Sequence, residues 1–461
     1  LLLLSADRPP ELQDCGAGQT IDQTELFGSF ARAFHQIPLP DESETNLKEL
    51  KEIIVRAYSE TTGRNPGPVH LNFPFREPLV SEDKKLVDID LPQIVAPIHS
   101  PSGTGSSRAD DILEKLGSGK RLLVIAGEHA PLETFSKWDH SKSPPILCDS
   151  LSPLRETPAP SRILRFENLL RNKGFRPLAR PDAILQLGPL PTSKTLRKWL
   201  GELDVPRVVI EPRGKNVDPL TSPSLSFDLD FPVISSLDLP KCEEGWTSLW
   251  VESERRVEAK LDLFFTDESD WFEGKIARLL SVHLPKAAQL HVANSMPIRD
   301  LEWFWKGSDL GRTLSGNRGV NGIDGTLGTA LGIAHDSENP SYLLTGELAF
   351  LHDSNALLAS REFFGSLTVF LVNNQGGGIF ENLSVAGLPA FEKCFATPQD
   401  CNFKMLCEAH GVEHALPGKW EELIELIQSS PPSGIRVIEI RTDRKKDRDT
   451  RRELLGLGPD A

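Results

Sequence analysis

The feature that most narrows the fold is a pair of strand-ending signals, Gly346-Glu347-Leu348 and then Asn373-Asn374-Gln375-Gly376-Gly377-Gly378. Apolar runs at 341–345 and 367–372 lead into them and read as strands, with a helix expected at 353–363 between. A strand–helix–strand crossover is right-handed and brings both strand tips to one edge of a parallel sheet. In open α/β sheets that edge is where ligands bind. Glu347 and Asn374, 27 residues apart, are therefore expected to face one another across a crevice.

The residue types suggest what the crevice holds. A carboxylate, an amide oxygen and a nearby backbone carbonyl are hard oxygen ligands. Mg²⁺ accepts such a set while phosphate oxygens and water take its remaining positions. Three consecutive glycines let the backbone come close to a diphosphate where side chains would clash. A glycine-rich turn alone is as easily explained by packing. The acid, the paired asparagines and the glycines, each following a strand, are not.

Other short apolar runs at 69–72, 121–126, 145–147, 183–187, 207–210, 289–293 and 435–440 read as strands. Helices are expected at 46–59, 193–200, 299–305, 325–335 and 421–428, and before Leu116. This alternation is that of parallel sheets. The chain opens inside the apolar run Leu1-Leu2-Leu3-Leu4, read as a buried strand entered midway. Residues 96–107 have the Pro, Ser and Gly content of a linker. Gly117-Ser118-Gly119-Lys120 looks like a phosphate loop, but Glu114 stands where that loop needs a glycine, so it reads as a helix end. The basic run at 441–452 reads as a solvated face or tail.

Charge and cysteine usage exclude some roles. Acidic residues outnumber basic ones 66 to 51, which argues against nucleic acid or an anionic membrane as partner. No stretch approaches the ~20 apolar residues of a membrane span. The opening leucines are too few for a signal-peptide core. The six cysteines form no C-x-x-C pair and no metal spacing with histidine, as expected of free thiols in a reducing, cytoplasmic compartment.

The Gly346 to Asn374 arrangement resembles the thiamine-diphosphate motif, G-D-G followed one helix later by N-N. Glutamate at 347 replaces the family's aspartate, and Leu348 replaces the last glycine. The extra methylene displaces the carboxylate by ~1 Å, which near-ideal Mg²⁺ geometry tolerates poorly. Further motifs are Ser5-Ala6-Asp7-Arg8-Pro9-Pro10-Glu11-Leu12, Asp14-Cys15-Gly16-Ala17 and Gln19. Asn294-Ser295 with Arg299, Asn317-Arg318-Gly319 with Gly322-Ile323-Asp324-Gly325, and Gly378-Ile379-Phe380 complete the set. Together they are similar to the signature of the 2-succinyl-5-enolpyruvyl-6-hydroxy-3-cyclohexene-1-carboxylate synthase family, and the resemblance covers essentially the whole chain. Gly67-Pro68-Val69-His70-Leu71-Asn72 resembles the end of that family's first domain.

The resemblance implies an α/β protein of three doubly wound parallel-sheet domains of the thiamine-diphosphate-enzyme type. They fall at 1–93 (pyrimidine-binding, incomplete), 108–260 (central) and 262–461 (diphosphate-binding). It implies thiamine diphosphate with Mg²⁺ or Mn²⁺, the metal held by Glu347, Asn374 and the carbonyl of Gly376. Gly346, Asn374, Gly376, Gly377, Ile379 and Phe380 would contact the cofactor. Ile323 would prop it into a bent shape, although that isoleucine equally suits a core. The implied reaction decarboxylates 2-oxoglutarate and adds the succinyl unit to isochorismate, in menaquinone or phylloquinone biosynthesis. Both substrates are dicarboxylates, which suits arginine's planar fork. Arg8, Arg299, Arg318 and Lys194 match the anion-binding positions, and Gln19 and Ser295 the polar contacts. A homodimer or homotetramer is implied.

The glutamate that activates the cofactor in this family lies upstream of where the sequence starts, so no catalytic residue is assigned. The 461-residue polypeptide is accordingly expected to be an N-terminally truncated chain of low activity. Two alternatives stay open: another thiamine-diphosphate-dependent 2-oxoacid decarboxylase or synthase, and a non-catalytic homologue.

Overall fold

The computed structural model describes residues 1–459 apart from 42, 64–65, 78, 80–104, 118, 129, 131–142, 213–216, 221–223, 228–238 and 240; of 105–110 it describes only the helix they form. Most of the segment expected as a linker at 96–107 therefore lies outside the described residues.

Two compact units are present. The first contains a parallel sheet of three strands, β1 (Leu2–Asp7), β2 (Ala33–Gln36) and β3 (Val69–Pro74), with β3 between the other two. The helix Glu44–Thr62 packs on it, started by Ser43, whose hydroxyl accepts the Asn46 N–H. β3 is buried along nearly all its length. The opening leucines do form a strand: among the described residues β1 pairs with β3 alone, and Leu1, Leu2 and Leu4 are exposed in this chain.

The second unit carries two six-stranded parallel sheets. One holds β4 (Leu122–Ala126), β5 (Ile146–Cys148), β6 (Arg162–Ile163), β7 (Ala183–Leu187), β8 (Arg207–Ile210) and β9 (Leu225–Phe227), in the spatial order β6-β5-β4-β7-β8-β9. The other holds β10 (Gln289–Val292), β11 (Thr313–Ser315), β12 (Ser341–Gly346), β13 (Ser366–Asn373), β14 (Glu413–Ala415) and β15 (Gly434–Arg441), ordered β11-β10-β12-β13-β15-β14. β4, β5, β7 and β8 are buried throughout, because helices cover both faces of such sheets. That double cover is why they read as unbroken apolar runs rather than alternating ones. The order reverses between β4 and β7 in the first sheet and between β10 and β12 in the second, where β15 also inserts between β13 and β14. Such reversals open the crevices that ligands use.

The expected helix end at Gly117 is present: the helix Gly105–Leu116 stops there, with Gly117 at φ 62°. A 22-residue helix, Trp246–Asp267, runs through the division expected at 260–262. Its buried stripe of Trp246, Trp250, Val257, Leu261 and Phe265 follows helical spacing and packs into a core shared with Leu123, Phe272 and Phe304. The helix expected at 353–363 is a 3₁₀ helix, Ser354–Arg361.

The basic run at 441–452 is not a tail: it is the end of β15 and a helix, Arg444–Leu455. Arg441, Lys445, Lys446 and Arg452 form the expected solvated face, but Asp447, Arg451, Leu454 and Leu455 on the other side are buried, which the sequence reading did not foresee. Asp443 caps the helix by accepting the Lys445 and Lys446 N–H groups.

Candidate cofactor and substrate site

Parallel pairing of β12 with β13 sets Gly346 opposite Val372, so the chain leaves both strands side by side. Glu347 and the Asn373-Asn374 pair meet at that edge, as the crossover argument requires. The Gly376 N–H donates to the Glu347 carboxylate across the gap. Glu347 is buried at the start of the short helix Glu347–His352, and burial pushes its carboxyl up to about 7 against the pull of that N–H.

Asn374 is buried too, and its two amide atoms differ sharply. Nδ2 donates to Glu273 at 2.5 Å, whereas Oδ1 accepts no hydrogen bond at all. Buried polar atoms almost always have partners. An unpartnered oxygen beside a buried carboxylate is what a cation would satisfy. Among the described residues no three His, Cys, Asp or Glu side chains gather around a metal position. The donor set is instead one carboxylate, one amide oxygen and the backbone of Gly376, which fits a Mg²⁺ or Mn²⁺ ion that completes its coordination with phosphate oxygens.

The glycines shape the wall. Gly376 sits at φ 139°, and a Cβ there would lie 2.5 Å from the Ala396 carbonyl oxygen. A Cβ on Gly377 would lie 2.6 Å from the Phe380 ring. Neither position accepts a side chain, and their bare backbone lines a cavity of about 430 Å³.

The same cavity is lined by Gly346, Glu347, Asn374, Ile379 and Phe380, by Ile323, and by Lys194, Ser295, Arg299 and Arg318. Every site residue expected from 194 onward thus converges on one space. Ser193 caps the helix Lys194–Gly201, which presents Lys194. Asn294 and Ser295 follow β10, and Ser295 sits at φ 72°, ψ −128°, a strained conformation for a non-glycine residue. Its carbonyl oxygen accepts a hydrogen bond from Arg299. Arg318 donates to Asn294 Oδ1 and, at 2.9 Å, to Thr192 Oγ1. Asn294 is itself fixed by donating to the Asn317 and Gly322 carbonyls, each at 2.7 Å. Burial, then Arg318 nearby, holds the Arg299 guanidinium below its ordinary range. Among the described residues, no carboxylate forms an ion pair with Lys194, Arg299 or Arg318. Lys194, Arg299 and Arg318, free of ion pairs among the described residues and gathered on one cavity, suit an anionic ligand on a protein that is acidic overall.

Arg8 and Gln19 belong to the first unit. There Arg8 donates to Gln19 Oε1 at 3.1 Å, and Gln19 adopts φ 61°.

No protein-family model matches the chain. It is 39% identical to the 2-succinyl-5-enolpyruvyl-6-hydroxy-3-cyclohexene-1-carboxylate synthase of Synechococcus sp. (strain JA-3-3Ab), over 98% of this chain and 80% of that protein. The synthase of Gloeothece citriformis (strain PCC 7424) is also 39% identical, over 97% and 80%. That of Trichormus variabilis (strain ATCC 29413 / PCC 7937) is 38% identical, over 99% and 81%. The chain belongs to this synthase family. Membership makes it an enzyme of the transferase class and accords with the three parallel sheets.

Sequence reading missed the residues behind the synthase motif. Glu273 opens the helix Glu273–His283; it accepts from Asn374, from Thr442 at 3.2 Å and from Arg451. Arg451 also grips Asp300, with bonds of 2.7 and 2.6 Å. Burial pushes Asp300 up to about 6 although Arg451 opposes it. Burial acts on Glu273 as well, but Arg451 and Asn374 prevail and hold it below the ordinary range. The available signal was the spacing of Asp447, Arg451, Leu454 and Leu455, one stripe of a helix with charges among its leucines.

Proposed function

We propose that this chain performs the thiamine-diphosphate-dependent decarboxylation of 2-oxoglutarate and transfers the succinyl unit to isochorismate, in menaquinone or phylloquinone biosynthesis. The single observation that carries the reading is the partnerless, buried Asn374 Oδ1, whose residue shares with Glu347 a cavity also lined by Lys194, Arg299 and Arg318. Glu347, Asn374 and the Gly376 carbonyl would hold a Mg²⁺ or Mn²⁺ ion, and Gly346, Gly376 and Gly377 would leave room for the diphosphate. When bound, the thiazolium ring supplies the electron sink that decarboxylation of a 2-oxoacid needs.

The chain's own residues supply orientation and charge. Lys194, Arg299 and Arg318 would take the substrate carboxylates, with Arg318 already aimed by Asn294 and Thr192. Preorganised cations avoid the reorganisation that water would require. Ser295 would add a polar contact, while Ile323, Ile379 and Phe380 give the cofactor an apolar wall. Arg8 and Gln19 would form an anion-binding pair in the first unit. The domain limits 1–93, 108–260 and 262–461 and an assembly of two or four copies follow from the family resemblance, and a cytoplasmic location from the free cysteines. No helix among the described residues is long and apolar enough to cross a membrane.

A substrate-exchange assay tests the proposal. With thiamine diphosphate and Mg²⁺, isochorismate consumption should require 2-oxoglutarate, and pyruvate should not replace it. Equal turnover with pyruvate would overturn the substrate assignment.

A further inference from the structure

A metal-binding asparagine has a polarity that neither its backbone nor its burial fixes. Its amide presents an oxygen or a nitrogen after a half-turn about one bond, and only the oxygen binds a cation. Something must select the orientation of Asn374. The structure shows a buried chain of donors and acceptors that does so. Arg451, on the helix Arg444–Leu455, carries donors only. It donates to Glu273 and Asp300, so both carboxylates face it as acceptors. The remaining Glu273 oxygen accepts from Thr442 and, at 2.5 Å, from Asn374 Nδ2. An ionised carboxylate has no proton to offer, so only the nitrogen of Asn374 can face it. The amide oxygen is left over, buried and without a partner.

We infer that Glu273, anchored by Arg451, is a positioning residue that sets the amide polarity of Asn374 and thereby turns Oδ1 toward the metal. This rests on Asn374 being a metal ligand, as proposed above. The relay begins at Arg451, 77 residues beyond the asparagine it controls. In Glu273→Gln, Arg451 still demands an acceptor and takes the new carbonyl oxygen. The new amide nitrogen then points at Asn374, which must rotate to accept it and present its own nitrogen to the ion. The substitution preserves shape and reverses polarity. An aspartate side chain at position 374 would have no such polarity, since its two oxygens are equivalent.

The test measures Mn²⁺ binding in the presence of thiamine diphosphate by electron paramagnetic resonance of free Mn²⁺, alongside the melting temperature of each metal-free variant. Asn374→Ala should abolish binding; if it binds like wild type, Asn374 is not a ligand and the site reading itself falls. Glu273→Gln should bind at least about tenfold more weakly, the range of supporting residues around metals. The double variant Glu273→Gln/Asn374→Asp should regain most of that loss, because one oxygen of the introduced carboxylate accepts from the new amide and the other meets the ion. Asn374→Asp alone, which leaves Glu273 in place, should bind more weakly than wild type although it adds a charged ligand, since two carboxylates then face each other. Wild-type affinity in Glu273→Gln, with binding lost in Asn374→Ala, would overturn the inference and spare the site. Failure of the double variant to recover would overturn it too, by making the loss a matter of packing. Tighter binding in Asn374→Asp alone would do the same without requiring any Glu273 variant to fold.

Discussion

The second unit contains two six-stranded parallel sheets, each with a reversal of strand order near its middle, yet among the described residues only one of the two edges gathers the proposed site. In the sheet built on β4 and β7, the described part of the edge is closed over by its own backbone and by an arginine. The Gly127 N–H donates to the Leu187 carbonyl at 2.9 Å, and a Cβ on Gly127 would collide with the Pro189 carbonyl oxygen. Beside it, buried Arg155 donates to the carbonyls of Cys148, Asp149, Leu301 and Glu302 at 2.8–3.3 Å. The sheet built on β10, β12 and β13 instead opens onto a cavity in which the buried, unpartnered Asn374 Oδ1 lies with Glu347, and where Lys194, Arg299 and Arg318 form no ion pair among the described residues. Topology marks where a crevice can form; an open, ligand-sized cavity lined by charged groups distinguishes a site from a structural joint.

The largest effect expected from this contrast is on Glu347. Glu347→Ala should weaken binding of thiamine diphosphate with Mn²⁺ by at least about a hundredfold, beyond what supporting residues contribute. Calorimetric titration checks this, and unchanged affinity would erase the distinction between the edges. Arg155→Met should do the reverse. It strands several buried acceptors and should lower stability by about 3–5 kcal/mol in urea denaturation, on the scale of breaking a buried charged contact. The folded fraction should still bind the cofactor.

The Glu302 carboxyl sharpens the comparison, since its helix Met296–Phe304 serves both edges. Burial, then Asp149 and Glu167 nearby, push it up to about 8. The folded protein therefore binds more protons at this position than the unfolded chain does between the ordinary carboxylate range and about 8. Its contribution is fully present below that range and is lost as pH rises through about 8. Wild type should thus lose stability relative to Glu302→Gln over this window, with a limiting slope of about 1.4 kcal/mol per pH unit. A pH-independent difference between the two would mean that Glu302 keeps its ordinary ionisation. The smallest effect is at Ser295, where Ser295→Gly relieves the φ 72° strain and should raise stability by about 1 kcal/mol, seen as a higher melting temperature.

What the sequence disclosed follows the same physics. Strands buried on both faces write continuous apolar runs, so β4, β7, β8, β12, β13 and β15 stood within a residue or two of their observed ends. Glu347, Asn374 and the glycines were legible because they sit at strand ends with fixed spacing. Glu273 and Arg451 were not, because 178 residues separate two partners that mean nothing singly: an acid opening a helix and one arginine in a basic run. The apolar start did form a strand, β1, beside β3. Hydrophobicity identifies a strand without saying what covers it.

The most direct measurement is an anomalous-scattering crystal structure with Mn²⁺ and thiamine diphosphate bound. It should place the ion within about 2.2 Å of Asn374 Oδ1, of a Glu347 carboxylate oxygen and of the Gly376 carbonyl, bridging two phosphate groups. An ion found elsewhere, or Asn374 Oδ1 still without a partner when the cofactor is in place, would contradict the account.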